Sequence, residues 1–249
     1  MCKTLYIDCE SGVSGDMFLG AMVDLGVPSE YLTERLSRLD LPGYQLSFGT
    51  RNVHGIQASD VDVVLALPED QSPNPYSGNY RNYRQIREMI AESTLNEREK
   101  TLAGRIFDIK ASAESIVHGV PVDEVKFHEA GAVDSVVDIV GAAICLSYFG
   151  PDRVVSRRVP TGYGQIKCAC GILPVPAPAV KQIIQDTGLP SYRSEIPQEV
   201  LTPTGASIMA GIVDDFSDRP VSGECIGKGY GTGKRDTGLP PLKVTLNIS

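Results

Sequence analysis

Phe127-His128-Glu129-Ala130-Gly131-Ala132-Val133-Asp134 leads directly into the run Ser135-Val136-Val137-Asp138-Ile139-Val140-Gly141-Ala142-Ala143-Ile144-Cys145-Leu146-Ser147-Tyr148-Phe149. The run is apolar around most of a helical circumference, so it predicts a helix buried on nearly every side. Its one charge is Asp138. A carboxylate removed from water without compensation costs roughly several kcal/mol, so Asp138 requires a cation, a metal or a polar cavity. Asp134 stands four residues earlier and shares its face. One reading makes Asp134 an N-cap and Asp138 a structural ion-pair partner. The preferred one turns both carboxylates, with His128 and Glu129, toward a metal or catalytic cavity.

Composition is that of a folded protein. At 249 residues, with 42% hydrophobic and 22% charged residues, the chain has material for one large domain or two moderate ones, and wholesale disorder is excluded. The net charge of -8 and the lack of a basic run argue against a nucleic-acid partner. A small anion is still accommodated if Arg157, Arg158, Lys167, Lys234 and Arg235 converge locally. The N-terminus breaks to charge within a few residues, and no apolar stretch of about 18 residues occurs, so no membrane partner and a cytoplasmic location are expected. Six cysteines without a framework spacing suit a reducing compartment. Only Cys168 and Cys170 lie close enough in sequence to form a pair, and closed structural zinc binding is not expected of them.

The patterning alternates strands and helices, so the expected fold class is α/β, with a sheet that need not be parallel throughout and two lobes as one possibility. Strands are expected at Thr4–Cys9, in a hairpin of Tyr44–Val53 and Ile56–Leu67, at Arg153–Val159, near Gly223–Lys228 and at Leu242–Ile248. Helices are expected over Asp16–Leu25, after Ser29, over Tyr83–Glu92, over Glu97–His118 with Asn96 and Glu99 as a capping box, and from Pro203 to Val213. A further helix follows the proline-punctuated segment Gly171–Ala179 and runs through Gln185. Gly229–Gly233 reads as a glycine loop. Residues 68–82, rich in Pro, Asn, Ser, Gly and Tyr, read as a linker or mobile loop between an N-terminal lobe (1–67) and a second lobe (83–249).

Two turns carry chemistry. Ser11-Gly12-Val13-Ser14-Gly15-Asp16 joins a strand to a helix, where free backbone amides and the helix dipole hold anions. It lacks the Gly-Lys-Ser/Thr ending of a Walker A loop. Asp16 in the first helical turn, with Asp8 at the strand end, would repel a bare phosphate; metal coordination or acid–base work is therefore as natural a reading as phosphate cradling, and a dipole-complementing turn is the bland one. Thr202-Pro203-Thr204-Gly205 offers a second helix start with two hydroxyls.

These motifs carry a resemblance. Leu5 to Ala21, Phe127 to Ser135, Leu173-Pro174-Val175-Pro176-Ala177-Pro178-Ala179, Leu201 to Ala206 and Gly229 to Asp236 resemble, in order, the signatures of the LarC family of nickel insertion proteins. The resemblance implies an enzyme, a CTP-dependent nickel chelatase (cyclometallase) of the lyase class. Its substrate would be pyridinium-3,5-bisthiocarboxylic acid mononucleotide, into which nickel is inserted through two nickel–sulfur bonds and one nickel–carbon bond. The product would be the nickel-pincer nucleotide cofactor of lactate racemase.

Carried over by position, the first motif matches Asp8, Ser11, Gly12, Ser14, Gly15 and Asp16, and the second His128, Glu129, Asp134 and Asp138. The expected roles are catalysis for Asp8, Asp16, His128 and Glu129, and metal binding for His128, Glu129, Asp134, Asp138 and Cys170. Ser11, Gly12, Ser14, Gly15, Thr202, Thr204 and Gly205 are expected to hold the nucleotide. Cys170 and Lys126 stand where relatives often have His, and residues 71–79 lack the His-rich loop of many relatives. The resemblance covers the N-terminal part of a family commonly about 400 residues long. CTP with its divalent cation (magnesium or manganese) would therefore act through a C-terminal region or subunit, and the assembly is expected to be an oligomer. A noncatalytic nickel-binding metallochaperone module and a metal-dependent phosphoryl-transfer domain built on Asp8 and Asp16 are the alternatives.

Overall fold

Leu5, Tyr6 and Ile7 are consecutive and all buried, which is the signature of a strand covered on both faces. In the computed structural model, which describes residues 1–65, 81–127, 133–168 and 171–249, they form β1 (Lys3–Asp8). The chain continues through α1 (Gly15–Leu25), α2 (Ser29–Leu36), β2 (Tyr44–Val53), β3 (Ile56–Leu65), α3 (Tyr83–Glu92) and α4 (Glu97–His118). A 3-10 turn at Val122–Glu124 precedes α5 (Val133–Phe149), β4 (Arg153–Ser156), β5 (Val159–Thr161), β6 (Gly164–Cys168) and β7 (Gly171–Val175). The last elements are α6 (Pro178–Thr187), β8 (Ser191–Arg193), α7 (Pro203–Ile212), β9 (Asp215–Phe216), β10 (Glu224–Gly231) and β11 (Leu242–Ile248). The fold class is mixed α/β.

Seven strands form one sheet in the order β2-β3-β10-β11-β1-β4-β9. β1 runs antiparallel to β11 and parallel to β4, and the β2-β3 hairpin joins β10 through the pair Gly231 and Ser59. The sheet thus takes strands from both sides of residues 68–82. Helix α1 lies on β10, β3 and β11, and α5 packs behind it against α4, α2 and α7. α5 is buried from Val133 to Leu146 apart from Asp134, as its apolar circumference requires.

Local signals fix the helix ends. Asn82 with Gln85 and Asn96 with Glu99 form complete capping boxes, Gly26 and Gly119 close α1 and α4 with positive φ, and Pro178 and Pro203 open α6 and α7. Two expectations change. The strand expected over Arg153–Val159 stops at Ser156, and Val159–Thr161 pairs instead with β8 in a separate two-stranded sheet. The expected glycine loop is partly strand: Gly229 and Gly231 belong to β10 because α1 lies directly on them. A Cβ on either would come within 2.1 Å of Ala21 O or 1.9 Å of Met17 O. What reads as a flexible loop is a helix–strand contact with no room for side chains.

The capping-box carboxylate of Glu99 is fully buried and also accepts a bidentate pair from Arg35 of α2, with Nε at 3.1 Å from Oε1 and Nη2 on Oε2. Removing one partner leaves an uncompensated buried charge. Glu99→Ala is expected to lower unfolding free energy by about 3–5 kcal/mol, with the loss partly relieved in the double variant with Arg35→Met. Chemical denaturation of the three proteins checks this, and additive losses would contradict it.

Candidate functional site

The first turn is built by stitching. Gly12 N–H bonds Cys9 O (2.9 Å), Val13 N–H bonds Val200 O (2.8 Å), and Thr202 N–H returns to Val13 O (3.2 Å), so the turn before α1 and the segment before α7 form one short parallel bridge. Close approach explains the glycines. Gly12 sits at φ +96°, and a Cβ there would lie 1.9 Å from Val200 O, while one on Gly205 would lie 2.1 Å from Val13 O. At Gly15 the obstacle is different: a Cβ would fall 2.1 Å from Oδ2 of Asp138. The first residue of α1 therefore seats the mid-helix carboxylate of α5.

Where the starts of α1, α5 and α7 meet, a cavity of about 290 Å³ opens. Ser11, Ser14, Gly15, Asp16, Asp134, Asp138, Thr202 and Thr204 line it, so eight of the residues expected from sequence are assembled in one place. Asp16 accepts bonds from Ser14 Oγ and from Met17 N–H (2.9 Å). Thr202 Oγ1 accepts from Gly205 N–H (3.0 Å) and caps α7. Asp138 is 6% exposed and faces this space.

Gly12 and Gly205 support the walls from behind. Asp8 is placed elsewhere: its carboxylate pairs with Arg157 Nη1 at 3.1 Å, a charge that Glu10 shares at 3.4 Å. His128, Glu129 and Cys170 lie outside the described residues. Among the described residues no group of three or more His, Cys, Asp or Glu side chains is arranged to hold a metal ion.

Other lining residues carried weaker signals. Asp62 alternates with Val61 and Val63 on β3, so its outward position was implicit in the pattern; Glu199 has no periodic context. Lys234 and Arg235, two of the candidate convergent cations, reach the cavity and are paired there. Lys234 Nζ meets Asp62 Oδ1 at 2.8 Å and Arg235 Nη1 meets Glu199 Oε2 at 2.8 Å. The bond to Asp62 raises the Lys234 pKa, and the charges of Asp134 and Asp16 add to it, so the three carboxylates act on one ammonium.

Behind Thr204 lies a buried amine: Lys110 Nζ, on a residue only 1% exposed, donates to Thr204 Oγ1 (2.9 Å) and Ser135 Oγ (2.6 Å) and stands 5.1 Å from the Phe127 ring centroid. A lysine amid an apolar helical face gave no sequence signal of its own. Cys9 belongs to the packing. Burial pushes its thiol up to about 11, and its sulfur sits 3.6 Å from Ser156 Oγ. The thiol is thus protonated at neutral pH, a poor ligand and nucleophile.

This is an α/β protein whose candidate site is an acidic cavity at converging helix starts, edged by two cations each paired with a carboxylate. A family model described as nickel insertion protein matches residues 5–247, and the chain belongs to that family. It is 45% identical over 247 residues to a pyridinium-3,5-bisthiocarboxylic acid mononucleotide nickel insertion protein of Geobacillus kaustophilus, covering 99% of this chain and 59% of the relative. Proteins of the same name from Staphylococcus epidermidis (38% identity; 97% and 58% covered) and Alkaliphilus metalliredigens (41%; 85% and 52%) are also similar. The chain therefore spans less than two thirds of the length of these relatives. No solved structure matches it. No helix among the described residues is long and apolar enough to cross a membrane.

Two outcomes follow from this geometry. Gly15→Ala is expected to push Asp138 from its seat at a stability cost of about 1–3 kcal/mol, read by thermal melting beside the parent. Iodoacetamide at neutral pH is expected to label exposed Cys2 and Cys225 in the folded protein and to spare Cys9 and Cys145 until denaturant is added, as read by peptide mass spectrometry.

Proposed function

We propose that this chain provides the nickel and precursor site of a nickel insertion enzyme, acting on a pyridinium-3,5-bisthiocarboxylic acid mononucleotide. The observation that carries this reading is that Asp16, Asp134 and Asp138 line one cavity with Ser11, Ser14, Thr202 and Thr204 of the other motifs, a polar chamber whose metal donors would be completed by residues outside the described ones and by the precursor itself. Nickel is the cargo. The precursor brings two thiocarboxylate sulfurs, soft donors suited to nickel, and a ring carbon whose C–H bond breaks as the nickel–carbon bond forms. The proton released must pass to a base, and a carboxylate of this cavity is the role proposed for Asp16 or Asp138. Hard oxygen donors hold the ion only loosely against sulfur, which favours handing it over rather than storing it.

In this reading His128 and Glu129, directly preceding α5 in sequence, join Asp134 and Asp138 in delivering the metal, and Cys170 supplies a soft donor. CTP, with magnesium or manganese, acts through a region such as the longer relatives carry beyond the matched part, and the product serves lactate racemase. Asp8 is held by Arg157 outside the cavity, so a phosphoryl-transfer centre made of Asp8 and Asp16 gains no support from their placement.

Insertion and simple nickel carriage differ in their need for nucleotide. With the C-terminal region supplied, nickel transfer to the precursor is expected to require CTP, and transfer independent of CTP would favour the carrier. Asp138→Asn removes the charge but keeps the shape. It is expected to reduce nickel transfer by roughly tenfold or more, the worth of a charged hydrogen-bonding partner, while leaving the circular dichroism and the melting temperature near those of the parent. Equal losses of fold and transfer would assign Asp138 a structural role.

A further inference from the structure

Next to the acidic cavity lies a second one of about 180 Å³, between the tip of the β2-β3 hairpin and residues 232–241. The two share Ser11, Met17, Gly233, Arg235 and Thr237, so they are neighbouring chambers of one cleft. Their charges differ in sign. Among the described lining residues the first holds five carboxylates against two cations, whereas the second holds Arg51, Arg235 and His54 against the single carboxylate Asp236.

We propose that this second chamber is the phosphate subsite of the mononucleotide precursor, with Arg51 and Arg235 as the anion ligands and Ser11 at the junction through which the ribose passes. The proposal rests on the precursor reading given above.

Three observations carry it. Ser11 is 3% exposed, lines both chambers, and its hydroxyl has no hydrogen-bond partner among the described residues. A buried hydroxyl left unpaired is destabilising, and a ligand hydroxyl or oxygen at the junction removes that cost. Secondly, the guanidinium groups are anchored but not used up. Both described bonds of Arg51, to Asp60 (2.9 Å) and Gly233 O (2.8 Å), run through Nη2, and both described bonds of Arg235, to Glu199 O (3.3 Å) and Oε2 (2.8 Å), run through Nη1. The remaining nitrogens of each fork keep the geometry that matches a phosphate.

Thirdly, His54 is held at the chamber wall in a backbone conformation that disfavours it. With Gly55 it forms the two-residue hairpin tip, at φ 50° and 87°, where Asn-Gly or Asp-Gly is the usual pair. Its Nε2 lies 3.0 Å from Asp236 Oδ1, so the ring is fixed against the wall. A mononucleotide bound along the cleft places its dianionic phosphate in the basic chamber and its ring in the acidic one. The phosphate then faces arginines, and the ring with its two thiocarboxylates enters the chamber where Lys234 and the divalent cargo would supply the positive charge.

The test is calorimetric titration of the whole 249-residue chain with nicotinic acid mononucleotide, its phosphate-free riboside, ribose 5-phosphate and CTP, using the parent, Arg51→Gln and His54→Asn. Asn tolerates positive φ, so the second variant keeps the hairpin if the first fails to fold. The parent is expected to bind the mononucleotide roughly tenfold or more tightly than the riboside, with that preference largely lost in both variants. Arg51-dependent binding of ribose 5-phosphate without any binding of the riboside would uphold the phosphate subsite and overturn the pyridinium reading. Equal affinity for mononucleotide and riboside, a preference that survives both variants, or Arg51-dependent binding of CTP alone would overturn the assignment.

Discussion

The structure depends on one constraint: α5 must be buried, and its mid-helix carboxylate is buried with it. Asp138 is only 6% exposed, in a helix otherwise covered by α1, α2, α4 and α7. A charge in that position forces its neighbours to make space and polarity together. Gly15 makes the space by having no side chain, and the start of α1 brings the positive end of a helix dipole to the same point. The turn before α1 must then reach Val200, which aligns α7 and delivers Thr202 and Thr204. The site is the set of consequences of burying one carboxylate.

Glycine plays a consistent part. Gly12, Gly15, Gly205, Gly229 and Gly231 each stand where a Cβ would overlap backbone or carboxylate atoms. A glycine-rich turn beside a helix start invites a phosphate-loop reading; in this fold the missing side chains also let α7 and β10 approach the backbone of α1 and of the turn before it, and seat Asp138 of α5 on Gly15. The proposed phosphate ligands are arginines on β2 and after β10, in the chamber that Ser11 of the same turn also lines.

Much of this was legible in the sequence. Capping boxes, terminal prolines and the uniform apolarity of α5 act through nearest neighbours on the chain, so Asn96 with Glu99, Pro203 and the buried helix could be read directly. That Asp134 and Asp138 share one face was legible from their four-residue spacing; that Asp16 joins them was not, because along the chain it reads as the partner of Asp8. What escaped depends on contacts distant in sequence. Glu199 acquires its role from Arg235, Asp62 from Lys234, and Lys110 from Thr204 and Ser135. β9 and β8 are two and three residues long and exist only because β4 and β5 offer them an edge. No local pattern encodes a partner that the topology alone supplies.

Charge balance also explains why so acidic a cavity coexists with a stable fold. Five carboxylates line this cavity of about 290 Å³, so their mutual repulsion has to be met by cations inside it. Lys234 is the resident counter-ion, bonded to Asp62 and held in its charged form by Asp134 and Asp16 as well. Its side chain is 65% exposed, so it is tethered by charge and not by packing. An ammonium on a flexible stem offers one compact charge that can swing away, unlike a guanidinium locked into a bidentate fork. On the proposed function, a divalent ion entering among the carboxylates would supply twice that charge and release Lys234 toward solvent or toward an anionic ligand. A tethered cation that a free one can replace is the electrostatic requirement that the proposed uptake and release of a metal ion places on this cavity.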